Sequence, residues 1–139
     1  MAAEAKTKPT GESVAAFLKR ATTGDRRKDC ATLVRVMKEA TGAPAVMWGN
    51  AIVGLGSYDI TYADGRVSPW PVIAFSPRAQ DLTLYIGRSA VGLPTLLGKL
   101  GKHKMSGGCL HIKRLGDVDL TVLGKVIAGS VEAKRKNRG

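Results

Sequence analysis

Acidic side chains are scarce in this 139-residue chain: 11 Asp and Glu stand against 22 Lys and Arg, a formal net charge of +11. That shortage argues against a dedicated site for a hard cation, which needs clustered carboxylates. It favours anionic partners instead: nucleic acid, phosphorylated ligands or an anionic membrane surface. Cysteine is scarce too. Cys30 and Cys109 form no CxxC and no metal-ligand spacing, and two thiols without a secretory signal read as reduced and intracellular. The segment Met1 to Thr10 carries Glu4, Lys6 and Lys8 and has no apolar core, so no signal peptide is expected. Long apolar runs are missing. The longest uncharged stretch, Ala40 to Tyr58, is interrupted by Pro44, Asn50 and four glycines, and reads as loop plus buried strand rather than a membrane span. Also absent are GxSxG, the Walker loop and HExxH. Gly54-x-Gly56 lacks the third glycine and the following helix of a dinucleotide fingerprint.

What is present suits one small domain. The length excludes a (β/α)₈ barrel, and 44% apolar with 24% charged residues argues against wholesale disorder. Residues 1–9 read as a flexible tail, 10–132 as the domain and 133–139 as a basic tail. Thr10 is a candidate N-cap for a short helix with Val14, Phe17 and Leu18 on one face. A second helix starts near Asp25, buries Cys30, Leu33, Val34, Met37 and Ala40, and ends at Gly42 and Pro44. The period then changes. Strands are expected over Ile52–Tyr62, Pro71–Ser76, Asp81–Ile86 and Cys109–Lys113, with a turn at Ala63–Arg66 and a hairpin across Pro77–Gln80. A short helix is expected over Val91–Leu100. A last one, capped by Asp117, has Leu120, Leu123, Ile127 and Val131 as its apolar stripe. The order ααβββαβα describes an α+β fold with a mainly antiparallel sheet of at least four strands.

Several runs are distinctive: Met47-Trp48-Gly49, Ile52-Val53-Gly54-Leu55-Gly56-Ser57-Tyr58, Trp70-Pro71, and Phe75-Ser76-Pro77-Arg78. Leu82-Thr83-Leu84-Tyr85-Ile86, Gly101-Lys102-His103-Lys104 and the run from Cys109 to Asp119 complete the set. In type and order they resemble the YdhG-like domain, a bacterial family filed as a domain of unknown function, over about residues 10 to 132. The resemblance implies a small α+β fold in a cytoplasmic bacterial protein and no particular reaction. One member of the family is described as a frataxin-like iron chaperone. This chain departs from the family at His111, where Tyr is more usual, and no iron-ligand pattern carries over.

Strand alternation sorts the candidate residues. Leu82, Leu84, Ile86, Leu110 and Ile112 fall on a core face. Trp70, Thr83, Tyr85, Cys109, His111 and Lys113, with Tyr58 and Tyr62, fall on a mixed one. Such a face either stacks planar rings beside basic groups or is covered as a wet second core. The run Lys99, Lys102, Lys104, Lys113 and Arg114 has no acid between residues 99 and 114 and could present cations to an anion. The leading expectation is therefore a non-enzymatic module for an anionic or planar small ligand. Trp48, Tyr58, Trp70 and Tyr85 would be its walls, and Lys104 and Lys113 its charge. One alternative is nucleic-acid binding through the basic surface. The others are a metal-dependent enzyme using His103, Cys109 and His111, or frataxin-like iron binding. No cofactor or metal site is expected, nor a membrane partner, and the oligomeric state is left open.

Overall fold

Helix α1 (Val14–Ala21) starts at Ser13, whose Oγ accepts the Ala16 amide at 3.2 Å. The computed structural model describes residues 12–137, with side chains through 135, so the expected cap Thr10 and the whole of the expected tail 1–9 lie outside the described residues. Helix α2 (Gly24–Thr41) buries Cys30, Leu33 and Met37, three to four residues apart, and packs Val34 and Ala40 beside them. Gly42 stops it in the left-handed conformation, with its N–H on the Lys38 carbonyl.

Eight strands follow: β1 (Ala45–Trp48), β2 (Ile52–Leu55), β3 (Tyr58–Thr61), β4 (Val67–Trp70), β5 (Ile73–Pro77), β6 (Leu82–Tyr85), β7 (Lys104–Ser106) and β8 (Cys109–Ile112). Helix α3 (Leu93–Leu100) lies between β6 and β7, and α4 (Leu120–Asn137) ends the described chain. Six strands form one antiparallel sheet in the order β1-β2-β5-β6-β8-β7. One cross-strand row, Met47–Val53–Phe75–Leu84–Leu110–Met105, runs its whole width. This row faces the helices, and its members join Leu33, Met37, Leu123 and Ile127 in a single core. Each fully buried side chain of this kind contributes about 1.5–3 kcal/mol. The α+β architecture is the one read from the pattern. The extra strands are short: β1 lies in the glycine-studded stretch, β4 contains Pro69, and β7 has only three residues.

The expected strand 52–62 is two. β3 and β4 pair as a separate two-stranded arm, Tyr58 opposite Trp70 and Thr61 opposite Val67. The register matches that of β2 with β5, so arm and sheet are one long hairpin with a break. Pro71 sits at the break and has no N–H to give the ladder. Beyond it only Val72 N–H to Gly56 O, at 3.4 Å, bridges the strands.

Asp117 does not cap the last helix. It lies in a 3₁₀ turn, Leu115–Asp117, facing Arg114. The cap is Asp119, whose Oδ1 accepts the Val122 amide at 3.1 Å. The basic segment expected to trail from residue 133 stays helical through Asn137, and Arg135 donates to the Thr41 carbonyl at 2.5 Å. No described helix is long and apolar enough to cross a membrane.

Candidate anion-binding site

The sheet's second face divides in two. On the β1–β2 side Trp48, only 1% exposed, packs against Gly54. A Cβ at Gly54 would stand 2.4 Å from Trp48 Cδ1 and 2.9 Å from Pro71 Cβ. The indole therefore has its place only because residue 54 has no side chain. On the β6–β8–β7 side the face is open: Tyr85, Cys109 and His111 are half-exposed, and Lys104, Ser106 and Lys113 are exposed.

Two cross-strand rows run into this open half from the buried Ala74, Ser76 and Thr83. One is Ala74–Tyr85–Cys109–Ser106 and the other Ser76–Thr83–His111–Lys104. At the end of the second row a pocket of about 180 Å³ is lined by Asp81, Lys102, His103, Lys104, His111 and Lys113. Its single carboxylate is already engaged. Thr83 Oγ1 donates to Asp81 Oδ1 at 3.0 Å, and His111 Nδ1 stands 3.3 Å from Asp81 Oδ2. Three lysines line the same pocket as an acid committed to its neighbours.

The backbone holds these groups from two directions. Arg26 of α2 reaches the turn between β5 and β6 and donates to the carbonyls of Arg78 and Asp81, both at 3.2 Å. The Arg78 amide closes the same turn on Asp81 O at 2.8 Å. Across the pocket, the segment carrying Lys102 and His103 is tied to the 3₁₀ turn. The Lys102 amide donates to Asp117 O at 3.2 Å, and the Asp119 amide to Leu100 O at 2.7 Å. Gly101 permits that approach, since a Cβ there would meet Asp117 O at 2.6 Å. His103 Nδ1 lies 2.7 Å from Gly101 O. A carbonyl only accepts, so Nδ1 carries the proton in that bond and Nε2 is the free nitrogen.

The candidate residues from the sequence fall into three places. Lys104 and Lys113 line the pocket. Tyr85 lies on the same open face, where its hydroxyl accepts from Arg78 Nη2 at 2.7 Å. Trp48 is buried and offers no wall. Tyr58 and Trp70 stand on the arm. Burial raises the Tyr58 phenol above its usual value, while Trp70 is 37% exposed. Trp70 and Lys113 lie at opposite ends of the strands, roughly 25 Å apart at about 3.3 Å per residue, so they do not share one ligand site of this size. Among the described residues no three His, Cys, Asp or Glu side chains cluster as a metal site.

Asp81 and Arg26 were not singled out from the sequence. Alternation does put Asp81 on the face of Thr83 and Tyr85. Its meeting with His111, though, depends on the register of β6 with β8, which no local pattern encodes. A comparison with protein-family models finds no match, and neither do comparisons with curated proteins and solved structures.

Proposed function

We propose that this chain, whose motifs resemble the YdhG-like domain, is a cytoplasmic binding module for a small anion of phosphate type. The observation that carries this reading is the convergence of Lys102, Lys104 and Lys113 on one small pocket whose only carboxylate is already bonded to Thr83 and faces His111. A pocket of about 180 Å³ suits one tetrahedral oxyanion rather than a whole drug-sized ligand. The open face with Tyr85 beside it leaves room for the rest of a larger molecule. The free state of both cysteines is in keeping with a reducing compartment.

Titration with inorganic phosphate, followed by amide and histidine NMR shifts, tests the reading. Shifts should concentrate at residues 81, 102–104 and 111–113. Lys104→Ala and Lys113→Ala should each weaken binding by about ten- to a hundredfold, since a charge-assisted hydrogen bond is worth about 1.5–3 kcal/mol. Higher salt should weaken binding in the wild type more than in either variant. Unchanged affinity in the Lys104→Ala, Lys113→Ala double variant would place the anion elsewhere and sink the reading.

A further inference from the structure

The chain contains two histidines, distant in kind from any metal cluster, and both line the same pocket. Each ring has its Nδ1 against an acceptor: His103 on the Gly101 carbonyl at 2.7 Å, and His111 facing the Asp81 carboxylate at 3.3 Å. Neither Nε2 has a partner among the described residues. Two imidazoles with their outer nitrogens free, in a pocket lined by three lysines, can do more than hold an anion. One can take a proton while the other gives one, and the lysines can stabilise charge growing on phosphate oxygens.

None of the six lining side chains is a hydroxyl or a thiol. Such a lining suits a substrate that carries its own hydroxyl nucleophile, and the 2′-hydroxyl of RNA sits next to the phosphodiester it can attack. The pocket accommodates one phosphate, so the flanking nucleotides would run over the open face, where Tyr85 offers a ring for stacking. The excess of basic residues over acidic ones suits a polyanion.

We propose that this pocket cleaves single-stranded RNA by transesterification, with His103 and His111 as its general base and general acid. The inference rests on the anion-binding reading of the same pocket. His103 Nε2 takes the 2′-hydroxyl proton as that oxygen bonds to phosphorus. The bond from phosphorus to the 5′-oxygen breaks, and the departing oxygen receives a proton from the His111 imidazolium, whose counterion is Asp81. The products are a 2′,3′-cyclic phosphate end and a free 5′-hydroxyl. One proton is taken and one is given, and no oxidant, reductant or water is consumed.

The test uses the full chain, a mixed-sequence single-stranded RNA oligonucleotide and EDTA in the buffer. Cleavage leaving 2′,3′-cyclic phosphate ends is expected, with a bell-shaped pH profile because one ring must be neutral and the other protonated. The all-deoxy and 2′-O-methyl versions of the oligonucleotide should survive. His103→Gln and His111→Gln should each slow cleavage at least about a hundredfold, while both keep the wild-type circular dichroism spectrum and urea midpoint, which shows them folded. Two results overturn the proposal. One is a wild-type protein that binds phosphate but cleaves no faster than the double histidine variant purified alongside it; the anion-binding reading then stands alone. The other is cleavage equal in all variants, which marks a contaminating nuclease. Failure of phosphate to bind the wild type sinks the anion-binding reading and, with it, this inference.

Discussion

Replacing Gly54 with alanine puts a methyl carbon 2.4 Å from Trp48 Cδ1, 2.6 Å from Nε1 and 2.9 Å from Pro71 Cβ. All three contacts are well inside van der Waals distance. The methyl arrives in the middle of β2, paired on both sides by β1 and β5, so the backbone has little freedom to retreat. The buried indole has none either. Overpacking of this kind costs about 1–3 kcal/mol. Removing the indole by Trp48→Ala costs about 3–5 kcal/mol, as large aromatic truncations do. The two changes act on the same space, which makes the double variant informative. Independent effects would give a loss of about 4–8 kcal/mol. Here the alanine methyl moves into the volume the indole vacates, so the double variant should lose no more than Trp48→Ala alone, a coupling of about 1–3 kcal/mol. Urea denaturation of all four proteins, followed by circular dichroism, measures the cycle. Trimethylamine N-oxide in every sample keeps the weakest member folded. Additivity within about 0.5 kcal/mol would refute the steric argument and mean that Gly54 tolerates a side chain.

Asp119→Ala should lower stability by about 0.5–2 kcal/mol through loss of the α4 cap, whereas Asp117→Ala, which loses only a loose ion pair with exposed Arg114, should change it by less than about 1 kcal/mol; chemical denaturation separates the two. Burial lowers the Lys134 amine from 10.5 to about 8. The native state therefore sheds this proton before the unfolded chain does, and stability should rise with pH from about 8. Burial also pushes the Cys30 thiol from 9.0 to about 11, which acts in the opposite direction above pH 9. The Lys134 effect is thus cleanest between pH 8 and 9, and Lys134→Met should flatten the curve in that window. A slope that persists in Lys134→Met would assign it to another group.

Much of the architecture was legible in the sequence because two physical periods are hard to hide. The stripe Cys30, Leu33, Met37 specifies one buried helix face, and the alternation Leu82, Leu84 against Thr83, Tyr85 specifies a half-buried strand. The helix face lies as the pattern implies, and on β6 the two leucines are buried and Tyr85 is half-exposed, but Thr83 is buried as well. Short edge elements were not legible. β7, with Lys104 and Ser106 exposed, has no periodic signature, and its strand state comes from pairing with β8. The split of 52–62 was hidden for the opposite reason: Tyr58, Ile60 and Tyr62 continue the alternation smoothly, and the interruption is written in the partner strand at Pro71. The helix cap slipped by two residues because Asp117 and Asp119 are equally good candidates by type, and only the 3₁₀ turn decides between them. The pocket was half legible. Its lysines and His103 stand in one acid-free run, but Asp81 joins them through a register between strands that are distant in the chain.

That last pairing governs how the site comes into being. Along the sheet, β1 with β2, β5 with β6 and β7 with β8 close short loops, and β2 with β5 closes over the arm. β6 with β8 is the exception, since α3 and β7 lie between them in the chain. Closing a longer loop costs more chain entropy, though the cost grows slowly with length. Every lining residue except Asp81 lies between residues 102 and 113, on the far side of that closure. A nascent chain that has assembled β1 through β6 thus holds a carboxylate and a threonine but none of the cations. The pocket is complete only once β8 pairs with β6 and sets His111 and Lys113 beside Asp81.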